Sequence, residues 1–120
     1  MSKEEIMKKW ESYTNRVKSV ANLKKISEER SKLPIASFQD VITSKVKSHQ
    51  VVIITGETGC GKTTQVPQFL LDYMWGKGEA CKIVCTHPRQ ISTMSVAERI
   101  SYERGENVGS DIGYKVFFCR

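Results

Sequence analysis

The stretch Gly56-Glu57-Thr58-Gly59-Cys60-Gly61-Lys62-Thr63 constrains this chain more than any other part of it. It spells G-x-x-x-x-G-K-[ST] and follows directly on the apolar run Val51-Val52-Ile53-Ile54-Thr55. A buried strand, then a glycine loop, then a helix is the context that a phosphate-binding loop needs. Glycines permit φ > 0, so such a loop can curl and turn its N–H groups inward as donors to an anion. A helix beginning near Lys62 adds the positive end of its dipole. Lys62 brings a flexible point charge for the β and γ oxygens of a nucleotide, and the Thr63 hydroxyl suits Mg²⁺. Cys60 reads as a small filler, because neighbouring phosphate charge disfavours its thiolate. The expected nucleotide-binding run is therefore Gly56, Glu57, Thr58, Gly59, Cys60, Gly61, Lys62, Thr63 and Thr64. Lys62 and Thr63 are the expected catalytic residues, Thr63 the Mg²⁺ ligand, and ATP or another NTP the nucleotide.

Around this loop the hydrophobic pattern alternates between two periods. Ile6, Trp10, Tyr13, Val17 and Val20 recur at helical spacing, which predicts one amphipathic helix from residue 4 to about 30, with Leu23 and Ile26 off its stripe. That stripe has two readings, packing against the chain's own core or docking a protein partner. Pro34 starts a new element, and Ile35, Phe38, Val41 or Ile42, and Val46 predict a short helix ending near His49. Lys62 to about Trp75 reads as a helix with Val66, Phe69, Leu70 and Tyr73 on one face, although Pro67 removes a backbone donor there. Cys81–Cys85 reads as a second strand, Ile91–Ile100 as part of a helix ending at Gly105, and Ile112–Phe118 as a third strand. Strands alternating with helices predict an α/β fold with a parallel sheet.

Charge adds a weaker indication. Residues 1–33 hold nine Lys/Arg against five Asp/Glu, and the rest hold ten against eight, so most of the net +6 sits in the N-terminal segment. A basic balance fits a polyanionic partner and equally a solvated helix face. Four cysteines without a C-x-x-C pair, and only two histidines, argue against a zinc site. Met1–Trp10 is charged with no apolar segment after it, and no stretch reaches transmembrane length. The expectation is an intracellular protein with reduced thiols, nuclear or cytoplasmic, with no membrane partner.

From about Glu28 to Tyr114 the chain resembles the first RecA-like domain of the DEAH-box (DExH) RNA helicases. The resemblance rests on Leu33-Pro34-Ile35, on G-E-T-G-C-G-K-T-T-Q-V-P-Q-F at 56–69 and on T-H-P-R-Q-I-S at 86–92. S-V-A-E-R-I at 95–100, E-R-G-E at 103–106 and Gly113-Tyr114 extend it. It implies a P-loop NTPase with a partial RecA-like domain over 33–120, preceded by an N-terminal helical extension over 1–32. The activity implied is ATP-dependent unwinding of RNA, so RNA and nucleotide are the implied partners. Thr86, Pro88 and Arg89 would then contact the RNA backbone, with Arg89 as a charge-assisted phosphate partner. The family usually reads T-Q-P-R-R here, whereas this chain has His87 and Gln90. Arg30 lies where the family can stack an arginine on the base.

Phosphoryl transfer needs more than this loop. It needs an acidic box for Mg²⁺ and the attacking water, and arginine fingers. No D-E-x-H string occurs in the 120 residues. The expectation is a helicase fragment whose hydrolysis and unwinding depend on further sequence. The alternatives are a short non-catalytic product that binds nucleotide or RNA, and an unrelated small P-loop ATPase or kinase.

Overall fold

The computed structural model describes residues 2–56, 61–86 and 90–113, with only the backbone of 90–92. Two helices open it, α1 (Lys3–Ser19) and α2 (Ala21–Ser31). Ser2 caps α1 by accepting from the Glu5 N–H at 3.2 Å. Acidic residues in the first turn and basic ones in the last complement the helix dipole. The single helix expected over 4–30 is broken at Val20, which is extended at φ −94°, ψ 115°. This break explains Leu23 and Ile26. Off the stripe of α1, they form the buried face of a separately aimed α2, while Val20 itself is exposed.

A 3₁₀ turn, Pro34–Phe38, leads into α3 (Gln39–Ser48). Leu33 takes the extended conformation that a following proline favours. Ile35 and Ile42 are buried, and Phe38 and Val41 face solvent. The long helices α4 (Lys62–Gly76) and α5 (Gln90–Arg104) follow. Both end in the same way, with a left-handed glycine closing the last turn: Gly78 at φ 73° and Gly105 at φ 72°. In α5 the N–H of Gly105 reaches Tyr102 O at 3.1 Å and that of Glu106 reaches Ser101 O at 3.0 Å. Gly78 and Glu79 repeat the pattern on Trp75 and Met74.

α4 is the axis of the structure, packed by α1, α3 and α5. One side of it joins Ile6, Leu71 and Trp75, with Trp10, Cys81, Ile83 and Ile112 against them. The other joins Ile35, Ile42 and Phe69, with Ile54 and Val66.

The expected parallel sheet is not present among the described residues, which form a helical assembly. Residues 51–56 and 81–86 carry no strand pairing. Their side chains alternate: Val52, Ile54, Cys81 and Ile83 are partly covered, whereas Val51, Ile53 and Val84 are 80%, 83% and 76% exposed. A parallel sheet requires ladder partners and cover on both faces. These two runs have the composition of such strands but are covered on one side only. The third expected strand lies outside the described residues, apart from 112 and 113.

Candidate nucleotide-binding site

The loop's last glycine is the best-defined part of the site. Gly61 precedes α4 at φ 99°, a conformation that L side chains rarely adopt. A Cβ there would also meet Leu33 Cδ1 at 3.1 Å, and Gln65 Cγ and Ile35 Cγ2 at 3.2 Å. The chain just after α2 thus lies directly beneath Gly61. Among the described residues no side chain caps α4, so there the N–H groups of its first turn lack the acceptor that a capping residue would supply. Gln65 is the first residue to close the helix, onto Gly61 O at 2.8 Å.

Lys62 Nζ donates to the Gly56 carbonyl at 2.5 Å, so the ammonium bridges the two described ends of the loop. Thr63 is exposed and Thr64 half-buried in the same turn. Pro67 sits inside α4. Lacking an N–H, it leaves the Thr63 carbonyl without its usual partner four residues on. Among the described residues no group of three or more His, Cys, Asp or Glu could hold a metal ion. A hydroxyl such as that of Thr63 fits Mg²⁺ only alongside phosphate oxygens and water, which is how Mg²⁺ is usually held.

Directly beneath this turn lies a buried polar network, which sequence reasoning missed. Gln65 and Gln68 are each 1% exposed, and both donate from Nε2 to Glu103 Oε1 at 2.9 Å. Arg99 Nε holds the other oxygen of Glu103 at 2.9 Å. Arg30, from α2, donates to Gln65 Oε1 at 2.7 Å and to the Tyr13 hydroxyl at 3.1 Å. Its Nε is also 3.6 Å from Glu103 Oε1. Arg104, 1% exposed, pairs with Asp72 at 2.9 Å and stacks its guanidinium 4.0 Å from the centre of the Tyr13 ring. Burial pushes the Asp72 carboxyl up from its ordinary range, and the charge and hydrogen bond of Arg104 act against that push. Four helices meet in these contacts.

The one readable signal for this network was positional. Gln65, Gln68, Phe69, Asp72 and Trp75 share one helical face. The expected face of Val66, Phe69, Leu70 and Tyr73 gave weight to apolar character alone, and only Phe69 of these is buried.

The other expected site residues divide into two groups. Thr86 is exposed at the end of the run from Cys81. Glu57, Thr58, Gly59, Cys60, Pro88 and Arg89 lie outside the described residues. Arg30 is held within the network, engaged with Gln65 and Tyr13. No helix is long and apolar enough to cross a membrane among the described residues.

Comparison with known proteins adds the relationship. Residues 33–102 match a family described as Novel STAND NTPase 3. The chain is 64% identical over 117 residues to the DExH-box ATP-dependent RNA helicase DExH6 of Arabidopsis thaliana, covering 97% of this chain and 9% of that protein. It is 60% identical over 117 residues to DExH2 of the same plant, covering 97% and 7%. To the human ATP-dependent DNA/RNA helicase DHX36 it is 55% identical over 91 residues, covering 72% and 9%. The chain thus spans less than a tenth of the length of each of these relatives. Over residues 33–102 it belongs to the family described as Novel STAND NTPase 3, and through its likeness across nearly all its length it belongs to the DExH-box helicase family.

Proposed function

We infer that this chain contributes the nucleotide-phosphate grip of an ATP-dependent RNA helicase. The observation that carries the reading is Gly61 at φ 99° opening an uncapped α4, with Lys62 reaching back across the loop to Gly56. Uncapped amides, a helix dipole and a lysine then converge on one spot, which is how protein chains hold phosphate. Thr63 would ligate Mg²⁺, and when bound this ion neutralises charge on the transferring phosphoryl group. Lys62 would hold the β and γ oxygens in place. Thr64 stands in the same turn and extends the grip.

RNA would be held at Thr86, Pro88 and Arg89 through its phosphate backbone, giving contact without reading sequence. Relatives named as ATP-dependent RNA helicases support both assignments. The division into an N-terminal helical extension, 1–32, and an ATP-binding part, 33–120, is proposed on the same grounds. Hydrolysis needs an acidic box and arginine fingers from elsewhere in such a protein.

The test is binding of Mg·ATP to the full chain and to Lys62→Ala. Binding should weaken at least about tenfold in the variant, since a charge-assisted contact to phosphate is removed. Equal affinity in the two proteins would refute the assignment.

A further inference from the structure

We propose that Arg30 is a positioning residue for the phosphate loop, acting through the Gln65 amide on the hydroxyl of Thr64. The inference rests on the nucleotide-binding reading above and goes beyond it, because Arg30 lies in α2, outside residues 33–102.

The argument is one of donors and acceptors. A guanidinium only donates and a carboxylate only accepts. Gln65 lies between one of each: its Oε1 accepts from Arg30 Nε at 2.7 Å, and its Nε2 donates to Glu103 at 2.9 Å. Turning the amide over would set its NH₂ against the guanidinium and its oxygen against the carboxylate. Arg30 and Glu103 therefore hold the amide in a single orientation. In that orientation Nε2 also donates to Thr64 Oγ1 at 3.0 Å. The Thr64 oxygen is used as an acceptor from below, and its own proton is left to donate to a phosphate oxygen at the start of α4.

Arg30 is itself fixed. Its NH1 donates to the Tyr13 hydroxyl, and its side chain is 13% exposed. The residues that follow it reinforce the same point, since Leu33 and Ile35 lie directly beneath Gly61. The N-terminal helices thus reach the loop by a polar route through Gln65 and an apolar route through Leu33 and Ile35.

A double-mutant cycle on the full chain tests this, with a fluorescent ATP analogue and Mg²⁺ read by anisotropy. Arg30→Ala and Thr64→Val should each weaken binding about three- to tenfold, and the double variant should be no weaker than the worse single one. Arg30→Lys, which keeps charge but not the planar fork, should recover part of the loss. Losses that multiply, or an Arg30→Ala protein that binds as tightly as wild type, would overturn the positioning role. Should circular dichroism show Arg30→Ala unfolded, the cycle is run with Arg30→Lys and the same two outcomes decide. A wild-type chain that does not bind, or a Lys62→Ala chain that binds equally, overturns the nucleotide reading and this proposal with it. Binding lost in Lys62→Ala but multiplicative for Arg30 and Thr64 overturns the positioning role alone.

Discussion

The interface of α2, α4 and α5 and the two apolar runs at 51–55 and 81–85 invert the usual distribution of residue types. The first buries two glutamines, a glutamate and an arginine. The second leaves Val51, Ile53 and Val84 largely in water. Partner supply, and not residue polarity, separates them. In the first region partners from other helices satisfy the two glutamine amides and the Glu103 carboxylate, so their burial is tolerated, while Arg104 Nη2 and Ser101 Oγ are buried without a hydrogen-bond partner among the described residues. In the second, side chains suited to burial have cover on one face only, and their backbone has no ladder to join.

The comparison is broken most directly at Glu103. Glu103→Ala leaves the two glutamine amides without their shared acceptor and removes the carboxylate that pairs with Arg30 and Arg99. Removing one partner of a buried pair costs about 3–5 kcal/mol, so urea denaturation should show a loss of that size. Should the loss be under about 1 kcal/mol, the network would not be holding the helices together. Gly105→Ala comes next. It forces a side chain into the left-handed region and brings a Cβ to 2.5 Å from Leu23 Cδ1, with an expected loss of about 2 kcal/mol. A compensating Leu23→Ala, read in the same melts, should relieve the steric part only.

Asp72 gives a smaller, pH-dependent effect. Its pKa is raised in the folded chain, chiefly by burial. Just above the ordinary carboxylate range the folded state therefore holds a proton that the unfolded state has lost. Stability falls as pH rises through that window and levels off above the folded value, with a slope below about 1.4 kcal/mol per pH unit. In paired melts between acid and neutral pH, the stability of wild type minus that of Asp72→Asn should decline with pH. A difference that grows instead would show that the Arg104 pairing outweighs burial. The smallest effect belongs to the exposed run: Ile53→Thr should change stability by no more than about 0.5 kcal/mol.

Where local signals were strong, the sequence was readable. α4 runs from Lys62 to Gly76 and α5 ends at Arg104, close to the expected limits, because glycines mark their ends by conformational necessity. Of the N-terminal stripe, Ile6 and Tyr13 are buried and Trp10 is partly covered, as its spacing implies. Two things could not be read. The break at Val20 has no glycine or proline to announce it, and the contact of Leu23 in α2 with the end of α5 at Gly105 joins residues too far apart in sequence to be read from it. The polar network is not legible in the sequence because Gln65, Gln68, Glu103 and Arg104 look like surface residues until partners from other helices are brought to them. The expected sheet failed for the converse reason, since composition describes a strand's preference for cover but not whether neighbours are there to provide it. Of the expected site, Gly56, Gly61, Lys62, Thr63, Thr64 and Thr86 are located.

The glutamines and charges at the centre of the fold also bear on how this chain responds to temperature. Exposing apolar surface raises the heat capacity of the unfolded state, and exposing polar surface lowers it. Unfolding here releases amides, a carboxylate and guanidinium groups from the interior, while several apolar side chains stay in water in both states. The heat-capacity increment per residue is therefore expected to be reduced, and the curve of stability against temperature to be correspondingly broad and shallow.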